Sequence, residues 1–283
     1  MALRINYNLA ASVAQRSLGS SQDNYARQAE RLATGLRINK AGDDAAGMAI
    51  SERLKNQVRG LNQAARNAQD GVSLIQTAEG AMGEAHNLLA RMRELAVQAA
   101  NDTLTSTDRS NILTEFTSLY AEIDRIATST QFNGVAILTG GSTALSLQVG
   151  ANSNNSLVND NVISLNVTPG GSFYASVLSP TMTDMGVTSQ SVANLAISTL
   201  DAAINAVSTA RTSIGSMQSR LESASRSIAV ASENAAAANS RIADADIASS
   251  MSELVRAQIL QQAGISVLAQ ANQAPSLVLQ LLK

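Results

Sequence analysis

"LKNQVRGLNQAARNAQDGVSLIQTA" runs from Leu54 to Ala78, and its apolar positions decide the fold. Leu54, Val58, Leu61, Ala65, Ala68, Val72 and Ile75 are separated by alternating steps of four and three. That spacing is a heptad seam: it lays one apolar stripe along a helix and asks for a partner helix to cover it. The seam changes phase near Glu79 and resumes as Ala81, Ala85, Leu88, Met92, Leu95 and Ala99, which predicts one long helix. "NDTLTSTD" (Asn101–Asp108) breaks it. Thr105 with Asp108 has the Ser/Thr-x-x-acid spacing in which hydroxyl and carboxylate satisfy the first free N–H groups of a new helix. Ile112, Phe116, Leu119, Ile123 and Ile126 carry the four–three spacing onward.

Working outward, Ile5, Leu9 and Val13 step by four and Leu18, Tyr25 and Leu32 by seven, predicting a first amphipathic helix ending near Ala33. In "TGLRINKAGDD", Gly35 and Gly42 can take positive φ, and Asp43 or Asp44 can cap the long helix. From Asn133 to about Ser189 the period changes. "ALSLQVG" and "VISLNV" alternate apolar with polar, setting Leu145, Leu147 and Val149 against Ile163, Leu165 and Val167. The turn-rich "GANSNNSLVNDN" between them predicts a small hairpin region. Helical periodicity returns by about Val192, and Ala210, Ile214, Met217, Leu221, Ala224, Ile228, Ala231, Ala235, Ala238 and Ile242 keep the heptad. Met251, Leu254, Val255, Ile259, Ala263 and Val267 carry an apolar face towards the C-terminus. The fold class expected is mainly α: an elongated helical rod or coiled-coil bundle formed by both chain ends, with a small β-hairpin region in the middle. About fifty helical residues would span about 75 Å.

Composition supports long, thin helices. Of 283 residues only 2% are aromatic, three are proline and none is cysteine or tryptophan, while charged residues make up 15%. Close packing through alanine and aliphatic side chains suits such a chain. A net charge of −2 argues against a nucleic-acid binder, which needs a clustered basic surface. Without cysteine there are no disulfides or thiolate metal sites. "MALRINYNLAASVAQRSLGS" has no apolar run long enough for a signal-peptide core, which argues against Sec export. No charged side chain falls between Arg256 and Lys283. That tail is nevertheless no membrane span, because Gln261, Gln262, Gln270, Asn272, Gln273 and Gln280 are strewn through it and Pro275 interrupts it.

Reactive chemistry is sparse. His86, the single histidine, sits beside the heptad seam as a helix-surface or partly packed residue. Asp43 and Asp44 read as loop and cap residues, and Asp244 and Asp246, on one predicted helix, point to different faces and share no metal. The glycines fit no phosphate-binding loop. Neither a catalytic site, a metal site nor a cofactor is expected. "LARMRELAVQAAND" mixes Arg91, Arg93 and Glu94 with Leu95, Val97 and Ala99, a pattern fitting either the solvated face of a bundle helix or a subunit contact.

Four stretches together resemble bacterial flagellin, the filament subunit of the flagellum: "RLATGLRINKAGDDAAGMAISERL" (Arg31–Leu54), "RMRELAVQAAND" (Arg91–Asp102), "EIDRIATSTQFNGVAIL" (Glu122–Leu138), and "SRIADADIA" with "RAQILQQAGISVLAQANQ" (Ser240–Gln273). The resemblance covers both ends of the chain, in order. Tyr7, where the family often has Thr or His, and Lys283, where Arg is frequent, depart from it. What it implies is an extracellular structural protein that self-assembles into the swimming filament. Segments 1–42 and 244–283 would form an inner coiled coil, and 43–138 and 190–243 a helical core domain. Residues 139–189 would be a short variable β segment, so the outer domains of larger flagellins would be absent. Self-assembly would draw on Ile5, Leu9, Val13 and Leu18 at one end and on Leu254, Val255, Ile259, Leu260, Val267 and Leu268 at the other, with the ends folding on assembly. The family's partners would be other copies of the chain, an export chaperone on the C-terminal segment, filament cap and hook-junction proteins, and the flagellin-sensing Toll-like receptor, with no nucleic acid and no membrane. Export would run through the flagellar type III apparatus without a cleaved signal peptide. By the same resemblance, receptor contacts fall on Arg91, Glu94, Leu95, Gln98 and Glu115. A hook–filament junction protein and a cytosolic coiled-coil adaptor are the rival readings.

Overall fold

The computed structural model describes residues 8–139, 145–152, 161–165 and 187–281, with side chains as far as 273. Ile5 and Val167 lie outside the described residues. The chain is mainly α: α1 (Leu9–Thr34), α2 (Ala45–Ala99), α3 (Ser106–Ser129), α4 (Gln190–Ala243) and α5 (Ile247–Leu281), with strands β1 (Gln131–Phe132), β2 (Val135–Ala136), β3 (Leu145–Gln148) and β4 (Val162–Leu165). It divides into two compact units, residues 1–56 with 234–283, and residues 57–233. The division falls inside α2 and α4.

In the unit made from the chain ends, α1 and α5 pair antiparallel. Ala14 and Ser21 are buried on α1, flanked along the same stripe by half-buried Leu18, Tyr25, Gln28 and Leu32. Opposite them run Ser250, Leu254, Ala257, Gln261, Gly264, Leu268 and Ala271, a four–three seam written mostly in small and polar residues. The small residues let the helices approach closely: the Ser21 hydroxyl donates to the Ala257 carbonyl at 3.1 Å, and a Cβ at Gly264 would stand 3.3 Å from Leu18. Leu9 and Val13, expected on the apolar face of α1, point away from this seam and are exposed.

Asp44 caps α2, its carboxylate accepting from the Gly47 N–H at 2.8 Å, while Asp43 closes the preceding loop by accepting from the Asn39 and Lys40 N–H groups. Gly35 ends α1 at φ +70°, where its N–H reaches the Arg31 carbonyl. The next residues clasp the end of α4. The Arg37 N–H and guanidinium donate to the carbonyls of Ala243 and Ile242, both at 2.7 Å, and the Ala245 N–H donates to Gly35 at 2.9 Å. The last carbonyls of a helix lack intrahelical donors, and here residue 37 supplies them. This clasp corrects the expectation of one helix carrying both Asp244 and Asp246. Asp244 sits in a β-bridge with Leu36, and Asp246 begins α5 by accepting from the Ala248 and Ser249 N–H groups. Pro275 does not end α5, whose backbone stays helical to Leu281.

In the second unit one apolar cluster joins α2, α3, α4 and the strands, with Phe116, Ile75, Met82, Leu89, Met92, Leu200, Ile214 and Leu221 at its centre. The Thr105–Asp108 capping box opens α3 as its spacing predicted. β3 and β4 pair antiparallel with Leu145 opposite Leu165 and Leu147 opposite Ile163. This hairpin lies on glycines of α2. A Cβ at Gly60 would come within 2.9 Å of Ala151, one at Gly71 would strike Leu147, and Asn67 donates to the Gln148 carbonyl at 2.9 Å. A second hairpin, β1–β2, turns at Asn133 (φ 50°) and Gly134 (φ 77°), the pair of left-handed residues a tight two-residue turn requires.

Candidate functional site

Two surfaces merit attention. The first is the outside of the α1–α5 pair. The seam covers one stripe of α5, yet large apolar side chains also stand on its outer sides, among serines and glutamines. Met251, Val255, Ile259, Leu260, Ile265 and Val267 are each about half exposed, from 46% for Val255 to 59% for Ile259, and Leu9 and Val13 add to them from α1. Of the residues expected to serve self-assembly, Leu18, Leu254 and Leu268 are half-buried in the seam. Leu9, Val13, Val255, Ile259, Leu260 and Val267 face outward. Large exposed apolar side chains gathered on one helix point to an interaction site. No helix among the described residues is long and apolar enough to cross a membrane.

The second surface is built by α2 and α3 of the other unit. Arg91 on α2 donates to Glu115 on α3 at 2.8 and 3.0 Å and to Glu94, one turn along α2, at 3.0 Å. Arg93, two residues on and therefore on the opposite side of α2, pairs with Asp201 of α4 at 2.6 Å. The hydrogen bond to Glu115, then that to Glu94, holds the Arg91 guanidinium above its ordinary pKa; Asp201 does the same for Arg93. Of the five residues expected to meet a receptor, Arg91, Glu94 and Glu115 are brought into one ionic group and Gln98 is exposed on the same helix. Leu95 is only 2% exposed, so it supports that face from beneath and is not part of its surface.

Among the described residues, reactive groups do not converge. Among the described residues no three His, Cys, Asp or Glu side chains form a group able to hold a metal ion. His86 is half-buried on α2, its Nδ1 shielded from solvent without a hydrogen-bond partner.

The outward apolar side chains of α1 and α5 give the chain a surface suited to association. The model of the bacterial flagellin N-terminal helical region matches residues 5–143, and that of the C-terminal helical region matches residues 197–282. A flagellin of Halalkalibacterium halodurans is 46% identical over 279 residues, 99% of either chain. The flagellar filament 33 kDa core protein of Treponema phagedenis is 42% identical over 289 residues, again 99% of each. A solved structure of the flagellar hook-associated class, from Vibrio parahaemolyticus, covers 71% of this chain and 100% of its own with TM-score 0.55; at 16% identity the likeness is one of fold. The chain belongs to the bacterial flagellin family and is a subunit of the flagellar filament.

Proposed function

We propose that this subunit polymerises by coupled folding and assembly, and that the apolar surface left open on α5 is what neighbouring copies cover. That surface is the observation carrying the proposal. Ordering each residue of a chain end costs about 1–2 kcal/mol, and a seam rich in Ala, Ser and Gly, with its leucines only half-buried, returns part of it. Burying the outward leucines, isoleucines and valines returns about 25 cal/mol per Å². The ends therefore reach full order when other copies arrive, and head-to-tail contacts that do not close a ring extend into a filament. Segments 1–42 and 244–283 form the inner layer in this reading. Removing the residues after Arg256 should abolish polymerisation while the unit of residues 57–233 keeps its helical circular dichroism; filaments from the truncated chain would refute the proposal.

The remaining partners follow from the same family. An export chaperone covers the C-terminal segment before assembly, the chain leaves through the flagellar type III apparatus without a cleaved signal peptide, and cap and hook-junction proteins meet the growing polymer. The flagellin-sensing Toll-like receptor reads the face of Arg91, Glu94, Gln98 and Glu115. Full-length identity above 40% to filament proteins favours the filament over the hook junction. A cytosolic adaptor would form a stable dimer and no long polymers, so electron microscopy of the concentrated protein separates it from both.

A further inference from the structure

Pro275 has no N–H, so the helical bond from residue 275 to the Ala271 carbonyl cannot form. That carbonyl nonetheless has a donor. The Asn8 side-chain nitrogen reaches it at 2.8 Å from the other end of the sequence. The same amide caps α1, its oxygen accepting from the Ala11 N–H at 3.1 Å. One side chain thus completes the start of α1 and fills the gap the proline leaves in α5, using its donor for one and its acceptor for the other.

We propose that Asn8 is a positioning residue that fixes the register of the α1–α5 pair, with Pro275 creating the acceptor it reads. Where α1 stops and α5 begins, the clasp of Leu36 and Arg37 on residues 242–245 holds register; towards Asn8 the seam by itself specifies it weakly. Leu18, Tyr25, Leu254 and Leu268 also line it, but the residues that face Ser21 are small: shifting one helix by a heptad exchanges Ala257 for Gly264 or Ser250 there, all three of which tolerate close approach. A shift of that size moves Ala271 by about 10 Å along the helix, out of reach of Asn8, and leaves a partly buried carbonyl with no partner. A single polar residue selecting one register among near-equivalent apolar ones is an established device of paired helices. Its consequence for filament growth rests on the assembly reading above, since register decides which outward side chains of α1 and α5 stand together.

The chain contains no cysteine, so introduced pairs report register cleanly. S21C with A257C forms a disulfide in the observed register, and S21C with G264C in one slipped by a heptad; the ratio of the two yields is measured in the full chain, soluble and pelleted. Asn8→Asp keeps a good cap and removes the donor. It should lower the ratio by about tenfold, an equilibrium change of about 1.4 kcal/mol. Pro275→Ala restores the N–H, and in that background Asn8→Asp should change the ratio by less than about twofold, the signature of two coupled positions. A wild-type ratio in N8D, or a tenfold loss that P275A leaves in place, would overturn the assignment. The assembly reading is judged separately, by whether the unsubstituted chain pellets as filaments.

Discussion

Ile259 offers a direct test of whether the open face of α5 is an assembly surface. Burying an isoleucine side chain fully is worth about 1.5–3 kcal/mol. With 59% of Ile259 exposed in the lone chain, about 1–2 kcal/mol remains to be gained when a neighbour covers it. Ile259→Ala forfeits most of that gain, so the critical concentration for polymerisation should rise by about five- to thirtyfold. Ile259→Glu also places an unpaired carboxylate under the neighbour, and the rise should exceed about a hundredfold. The monomer is little affected, because exposed substitutions usually change stability by less than about 0.5 kcal/mol. Ultracentrifugal pelleting across a concentration series measures the critical concentration, with thermal unfolding of the soluble chain as control. If both variants polymerise at the wild-type concentration, the face is not an assembly surface.

Gly60 and Gly83 lie on the same helix, but only Gly60 meets a neighbour, with Ala151 Cα 3.2 Å from where its Cβ would stand. Gly83→Ala should therefore stabilise by up to about 1 kcal/mol, and Gly60→Ala should be worse than that by about 1–3 kcal/mol of overpacking, as read by urea unfolding. Arg91→Ala and Glu115→Ala should abolish activation in a receptor reporter assay yet leave the thermal midpoint nearly unchanged, since exposed ion pairs contribute little. The carboxyls of Asp43 and Asp108 lie below their ordinary 3.8, held there chiefly by the Lys40 N–H and by the Thr105 hydroxyl. Their stabilisation is present above that value and is lost as pH falls through the depressed ones, so Asp43→Asn and Asp108→Asn should flatten the acid limb of stability against pH. Replacing His86 with Leu should leave stability unchanged or raise it, because the buried Nδ1 has no partner to lose.

The heptads of α2 and α4, the capping box at Thr105 and the alternation of β3 and β4 were legible because each follows from spacing along one segment. What spacing cannot show is how many sides of a helix are covered. Met82, Leu89 and Ala96 are fully buried beside the Ala85–Met92–Ala99 stripe, because α2 has α3 on one flank and α4 on the other. Leu9 and Val13 looked like the inward face of α1, but small residues permit the closer approach and take that place. The β1–β2 hairpin carries its own local signal, the Asn133-Gly134 dipeptide, inside the Glu122–Leu138 stretch. The clasp at Arg37 and the Asn8 bond join residues more than two hundred positions apart, and no local pattern announces them.

The distance in sequence between the paired ends has a kinetic meaning. The Arg91–Glu115 contact closes over 24 residues, and the β1–β2 turn over fewer, whereas the bonds joining α1 to α5 close over 236 and 263. Contacts between near residues form first and distant ones wait. α5, with Glu253 and Arg256 as its only charged residues, is thus also among the last to find its place, and a newly made subunit passes through a period in which its most adhesive helix has no cover at all. Exposed apolar surface on unfinished chains is what drives aggregation. Whatever shields this helix has to act from the moment it is synthesised, well before the filament is there to receive it.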